Sequence, residues 1–205
     1  PVLRSGLSKS SDTEDNWRAT VIRAFKSAET ACLAQGGKLK LVAISLSKQS
    51  RSIRSSKVTP VRKSNEYVSA TDPKLRNWLS RNGLTSLPNH ESRGHMESDL
   101  ARYAFAAAFA GIYNRSPKAK EFPKPLAPNH ANWNSGKFAD RFRVQHWNAP
   151  SSTINSHISK DGHYFIHTDP LQCRSLTVRE AERLQTFPAD FIFERAKHQP
   201  YVHVG

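Results

Sequence analysis

Little in this 205-residue chain points to a membrane, a disulfide framework or a metal. No apolar run approaches the ~20 residues that a bilayer span needs, and no signal-peptide core is visible. Two cysteines, Cys32 and Cys173, lie far apart, which reads as reduced thiols in a cytoplasmic protein and not as a disulfide scaffold. Of nine histidines, His90 and His95 stand five apart and His163 and His167 four apart. No cysteine pair or acidic partner completes either set, so zinc is not expected. Met96 is the only methionine and the chain starts at Pro1, so it is expected to be a piece of a longer protein. Acidic residues are also scarce: 17 against 31 Lys plus Arg, a net charge of +14. That surplus points to a polyanion, nucleic acid first and an anionic membrane surface second. A basic surface without a specific partner is the plain alternative. The length suffices for one ordinary domain, or one domain with an appendage.

What is present falls into segments. Asp12 or Thr13 caps an expected first helix, whose Trp17, Val21, Ala24, Phe25, Ala28 and Cys32 recur at spacings of three and four before Gly36-Gly37 ends it. Leu39 to Leu46 alternates like a short strand with two fairly apolar faces. From Lys38 to Lys63 there are eight basic residues, no acidic one and many serines. This reads as a flexible arm or insert, either touching phosphates or merely solvated. Asp72-Pro73 starts another helix, with Leu75, Trp78 and Leu79 as its stripe and Gly83 as its end. Ser98 to Tyr113 is the strongest helix upstream, its stripe running through Leu100, Ala104, Phe105, Ala108, Phe109 and Ile112. Arg115 to Gly136 is loop-like, with Pro117, Pro123, Pro125 and Pro128. From Asp140 the period becomes two: Phe142, Val144 and His146 alternate with Arg141, Arg143 and Gln145. Thr153–Ile158 and Tyr164–His167 follow as short strands, and Asp161-Gly162 between them signals a hairpin. No internal repeat is visible.

The most sharply written stretch is Arg174 to Pro188. Thr177, followed three residues later by Glu180, forms a capping box, and Leu176 and Ala181 occupy the staple positions. Ala181, Leu184 and Gln185 are expected on the inner face, with Arg179, Glu182 and Arg183 outside. Pro188 marks the exit. A helix this short is marginal alone, so it must dock on something larger.

The pattern R-x-L-T-x-R-E-x-x-R-L-Q-x-F-P resembles the ninth conserved motif of DNA cytosine-5 methyltransferases, with every fixed position present. Pro150-Ser151-Ser152-Thr153-Ile154 and the run from Lys160 to His167 resemble what precedes that motif in many bacterial members. Tyr201-Val202-His203-Val204-Gly205 is similar to the entry of the family's last motif, a G-N-x-V-P segment of which only the glycine is present. The clear likeness covers about the last third of the chain. It implies a parent enzyme that transfers a methyl group from S-adenosylmethionine to a cytosine in double-stranded DNA. Such chemistry needs a nucleophilic cysteine and a base turned out of the duplex. The family carries its nucleophile in a Pro-Cys loop, a glutamate in an E-N-V segment and its cofactor on an F-x-G-x-G turn, and none of these occurs here. Cys32 follows Ala31 on the apolar face of the first helix and reads as a core thiol. Cys173, beside Arg174 but lacking a preceding proline, reads as structural.

The resemblance therefore implies recognition without catalysis. No catalytic, cofactor-binding or metal-binding residue is expected in this chain. The expected fold class is α+β: upstream helices, a small irregular antiparallel sheet from Asp140 to His167 and a C-terminal docking helix, all part of a larger methyltransferase. The expected segments are 1–37, 38–70, 71–137, 138–173 and 174–205. Arg174, Leu176, Thr177, Arg179, Glu180, Arg183, Leu184 and Gln185 would organise the docking of the recognition region onto the missing catalytic domain. Charge and placement put Arg141 and Arg143 on one side of a strand facing phosphates. Lys160 and His163 flank a loop tip, and Thr153 and Asn155 suit sugar, phosphate or base edges. Lys118, Lys120, Lys124 and Lys137 supply a diffuse electrostatic pull. One rival reading is a non-enzymatic basic nucleic-acid-binding module with a degenerate methyltransferase tail. Another is an active relative acting on transfer RNA.

Overall fold

Two adjacent glycines turn the chain between its first two helices in the computed structural model. The structure describes residues 14–55, 73–74, 78, 89–90, 92–130, 132–133, 135, 140–188, 191 and 201–205. Helix α1 spans Glu14–Gln35 and α2 spans Leu39–Arg54. Gly36 (φ 70°) and Gly37 (φ 57°) are both left-handed, a conformation that glycine adopts without a Cβ penalty. Gly36 N–H closes α1 on Cys32 O at 3.0 Å. Arg18 near the start of α1 donates to Ile53 O near the end of α2 at 2.8 Å, so the two helices run antiparallel. The six apolar residues expected to line α1 are all buried. The Asp12 or Thr13 cap lies outside the described residues.

The strand expected over Leu39–Leu46, and the arm expected from Lys38, are replaced by α2 through Arg54. Over eight residues, alternation and helical spacing look alike. Across the full helix, Leu39, Val42, Ala43, Leu46, Ser50 and Ile53 keep helical spacing and bury on α1. Of the helix expected after Asp72, Pro73, Lys74 and Trp78 are described and helical; Leu75 and Leu79 lie outside the described residues.

Helix α3, Glu97–Tyr113, is the centre of the molecule. Every residue from Leu100 to Ala110 except Arg102 is buried, where a single stripe was expected. Its alanine-rich sequence leaves no polar face in that run, and a helix apolar all round must be surrounded. Ile112, assigned to the stripe, is exposed. The loop after α3 makes 3-10 turns at Ala119–Glu121 and Lys124–Leu126, which put Phe122 and Leu126 into the same core. From there aromatic rings lead onward: Phe105 to Phe122 at 4.8 Å, Phe122 to Phe142 at 5.0 Å, and Phe142 to His163 at 4.6 Å. Contacts of this kind contribute about 0.5–1.5 kcal/mol each beyond their buried area.

The small antiparallel sheet expected from Asp140 to His167 is not formed, and among the described residues there is no strand. The fold is helical, with extended strips, and not α+β. The period-two pattern did mark burial correctly, since Phe142 and Val144 are buried and Arg141 and Arg143 half-buried. It did not guarantee a ladder. Val144 meets Ile166 in an isolated parallel bridge, and Ile166 meets Ser175 in an antiparallel one. The bridge is made by Gln145 N–H and Arg143 O; on the opposite edge Val144 N–H is taken by Ser116 Oγ at 2.9 Å, and the chain turns at Trp147–Ala149, so the pairing extends no further. Beyond residue 155 it winds into the short helix α4, His157–Lys160, so neither the Thr153–Ile158 strand nor the hairpin forms. Gly162 (φ 76°) is packed under Ser175, whose Cβ would lie 2.7 Å from any Cβ added there.

Helix α5, Val178–Leu184, carries the capping box as read: Glu180 N–H donates to Thr177 Oγ1 at 3.1 Å and Thr177 N–H to Glu180 Oε2 at 2.7 Å. Leu176 and Ala181 join Ile154, Ile158, Phe165, Val178, Tyr201 and Val204 in a second apolar cluster. The faces of α5 are otherwise reversed from expectation. Arg179 and Glu182 are buried, while Leu184 is 44% exposed. The charged pair can enter because Arg179 Nη1 lies 2.8 Å from Glu182 Oε2, so neither ion is buried alone. Replacing Thr177 by alanine removes the cap and leaves His90, 3.0 Å from its hydroxyl, without that partner. Thr177→Ala is expected to cost about 1 kcal/mol in urea unfolding, with Thr177→Ser close to wild type.

Candidate nucleic-acid interface

The six residues expected to meet DNA lie on the segment between Asp140 and His163, and the structure separates them by exposure. Thr153, Asn155 and Lys160 are exposed. Asn155 Oδ1 also accepts from His157 N–H, the first residue of α4, at 3.1 Å. Arg141 pairs with Asp161 and Arg143 with Asp140, and the Arg143 guanidinium stacks over the Tyr164 ring at 5.5 Å. Arg143 remains 44% exposed as a side chain, against 25% for Arg141. Arg141 thus supports the 161–162 turn, and Arg143 is better placed to reach outward.

His163 is inside, at 8% exposure. Its Nδ1 lies 2.8 Å from Tyr103 Oη, and Tyr103 also donates to Asp161 O at 3.0 Å. Burial pushes the imidazole pKa down, although Asp161 and Asp99 pull it up. It is a neutral hinge between α3 and the turn. The loop-tip reading failed because Gly162 packs inward instead of projecting. The same polar seam continues at His95, whose Nε2 is 3.1 Å from Ser175 Oγ. His90 thus meets the Thr177 hydroxyl, His95 those of Ser175 and Tyr103, and His163 that of Tyr103. Lys118, Lys120 and Lys124 are exposed, and Lys137 lies outside the described residues. A cavity of about 350 Å³ beside the α1–α2 turn holds Lys38 and Lys120, but Glu121 lies in the same wall and pairs with Lys38 and Arg115.

The residues expected to organise docking sit around α5. Arg174 is 4% exposed and clasps Glu180 with both nitrogens, at 2.7 and 2.8 Å. Arg179 N–H donates to Asn89 O at 3.1 Å. Arg183 is half-buried, and Gln185 Nε2 donates to Val204 O, tying α5 to the last described residues. Tyr201 Oη donates to Leu176 O at 3.2 Å, and the Arg93 guanidinium lies over its ring at 3.9 Å.

Residues 40–205 match the family described as C-5 cytosine-specific DNA methylase. The chain belongs to that family. Similar proteins among its relatives are all methyltransferases by name. It is 41% identical over 127 residues to Type II methyltransferase M.Bpa9945I of Bacillus paralicheniformis, covering 62% of this chain and 28% of that protein. It is 34% identical over 73 residues to the putative type II methyltransferase M.OihORF3336P of Oceanobacillus iheyensis (36% and 15%). Against Type II methyltransferase M.AgeI of Thalassovita gelatinovora, identity is 35% over 68 residues (33% and 15%). The matched stretch thus spans less than a third of each relative. No solved structure matches the chain.

The chain's two cysteines, Cys32 and Cys173, are both buried. Burial pushes the Cys32 thiol up to about 12 and raises that of Cys173 further still. Cys173 also donates to Leu100 O at 3.2 Å, deep against α3. Both thiols are core groups. Among the described residues no group of histidine, cysteine and acidic side chains could hold a metal, and no helix is long and apolar enough to cross a membrane.

Sequence reasoning missed three parts of this region: the Tyr103 hinge, the Arg93–Tyr201 stack and the loop around Trp147. Tyr103 and Arg93 carry no local signal, since their partners lie 60 and 108 residues away. The Trp147 loop was legible in principle as an aromatic set among Asn148, Ala149 and Pro150.

Proposed function

We propose that this chain is the target-recognition, C-terminal part of an S-adenosylmethionine-dependent DNA cytosine-5 methyltransferase. The catalytic cysteine loop and the cofactor site lie in sequence outside it, and the enzyme works in the cytoplasm of a bacterial or phage-infected cell, within a restriction–modification system. The observation that carries this reading is the pairing of a family match over 40–205 with two thiols that are both buried. A family that needs a thiolate, matched by a stretch without one, divides recognition from chemistry.

In this reading α5 and its capping box hold the recognition region to the catalytic domain, with Arg174, Leu176, Thr177, Arg179, Glu180, Arg183, Leu184 and Gln185 as the organising set. Exposed Leu184 is the apolar side chain that the partner domain covers. Arg143, Lys160, Thr153 and Asn155 face the duplex, Arg141 braces them, and the exposed lysines add a salt-sensitive background. S-adenosylmethionine, when bound by the complete enzyme, supplies the methyl group; this chain's residues position the DNA.

The test is methyl transfer from radiolabelled S-adenosylmethionine to duplex DNA, with the complete enzyme and with residues 1–205 alone. Transfer is expected only from the complete enzyme, and sequence-selective binding only when the catalytic domain is present. Methylation by residues 1–205 alone would refute the division of labour. Tight autonomous binding by residues 1–205, with no methylation by the complete protein, would favour a non-enzymatic binding module; preference for transfer RNA would point to an RNA-acting relative.

A further inference from the structure

Trp147 is the most exposed large apolar side chain among the described residues, at 80%. Its loop is nevertheless fixed at both stems. Gln145 N–H donates to Ile166 O at 2.9 Å, and Gln145 Nε2 donates to Tyr164 O at 2.9 Å. On the other stem, Gln145 Oε1 accepts from Ser151 Oγ at 2.8 Å and from Ser152 N–H at 3.3 Å. One glutamine therefore closes the loop like a clasp, and the tip between His146 and Pro150 is held outward. Among the described residues the indole's ring neighbour is His167, with ring centres 6.2 Å apart and nearly perpendicular. A side chain of this size, held out on a braced loop, loses little freedom when it meets a partner.

The surroundings decide between partners. A protein-binding face needs a contiguous apolar area, whereas Trp147 stands between His146 and Asn148, and the glutamine that closes its loop holds the carbonyl of Tyr164, whose ring carries Arg143 and His157. Asp140 and Asp161 are each engaged by an arginine, and so is Glu180, which lies beside His167. Lys160, Thr153 and Asn155 continue the same segment in the open. An exposed aromatic on a segment that also carries exposed cations is suited to meet a nucleobase with its flat face and phosphates with its charge.

We infer that Trp147 is a positioning residue that lays its indole against a base or deoxyribose of the target duplex, beside the cytosine to be turned out. Turning a base out unstacks its neighbours, and an inserted or stacked aromatic offsets part of that loss. This rests on the proposed DNA-reading role of the chain. Gln145 is then the residue that aims it.

The experiment uses the complete methyltransferase labelled with 5-fluorotryptophan and a duplex carrying its target site. The fluorine line that vanishes in Trp147→Phe belongs to Trp147. It is expected to show a solvent isotope shift in the free enzyme and to move when the duplex is added. Trp147→Ala is expected to weaken binding about tenfold, while Trp147→Phe stays within about threefold. A Trp147→Ala variant that binds like wild type overturns the inference. So does a Trp147 line already shielded from solvent in the free enzyme, which would place the indole against the rest of the protein or a second copy. Failure of the wild type to bind duplex DNA at all would instead sink the DNA-reading role itself, and this inference with it.

Discussion

Glu182→Ala is expected to destabilise the C-terminal part of the chain by about 3–5 kcal/mol, because it strands the buried guanidinium of Arg179. Glu182 is wholly buried and Arg179 is 2% exposed. The arginine also donates to Phe191 O at 3.2 Å, and Asn89 Nδ2 reaches Glu182 Oε1 at 3.4 Å. The pair is not itself a large source of stability. Burial raises the Glu182 pKa, an effect that the Arg179 bond only partly offsets. A carboxyl raised in the folded state favours folding most below its unfolded pKa, and that benefit is lost as pH rises through the folded value. At neutral pH the ionised pair therefore carries a desolvation cost, and its removal as a unit is cheap. Arg179→Met combined with Glu182→Leu is expected to cost far less than Glu182→Ala alone. Urea unfolding of the two single variants and the double variant measures the coupling directly. Additive losses, or a Glu182→Ala variant within about 1 kcal/mol of wild type, would show that the helix does not depend on charge balance.

That reversal of α5 explains much about what could be read from sequence. Local devices were legible: the Thr177–Glu180 capping box and the Gly36-Gly37 stop each involve residues within four positions, and both stand as read. The α1 stripe was legible because its period persists over sixteen residues from Trp17 to Cys32. Periodicity failed where the decisive partner was distant. Arg179 looks like a surface residue until Glu182, Asn89 and Phe191 O converge on it, and two of those contacts come from other segments. Residues 142–144 alternate as a strand does, yet a strand needs a neighbour of matching length, and Ile166 offers a single bridge. Candidate contacts divided in the same way. Lys160 is exposed as its charge implies, whereas His163 was drawn inside by Tyr103, sixty residues earlier. Trp147 escaped notice because hydrophobicity alone assigns tryptophan to a core, and only the Gln145 clasp shows that it is held out.

Acid is expected to undo the start of α5 before the central helices feel it, through Glu180. Burial alone would raise the pKa of this carboxyl. The two hydrogen bonds and the charge of Arg174, together with His167 and Thr177 N–H, outweigh burial and hold it at about 2 against an ordinary 4.5. A depressed carboxyl contributes stability that is present above the unfolded value and lost as pH falls through the folded one. The window therefore runs from about pH 4.5 down to about pH 2, and the shift corresponds to roughly 3 kcal/mol. Glu180→Gln keeps an oxygen for Thr177 N–H but loses the charge that Arg174 requires. The variant is expected to be less stable than wild type by about that amount at pH 7, and to converge with it near pH 2. Glu121, also strongly depressed by Arg115, is present in both proteins and cancels from the difference. Urea midpoints for the two proteins across this range provide the check. Two pH curves that stay parallel would show that the Arg174–Glu180 clasp contributes nothing beyond the neutral cap. Convergence would mean that the entry of α5, and with it the Tyr201 bond to Leu176 O, is locked by one ion pair.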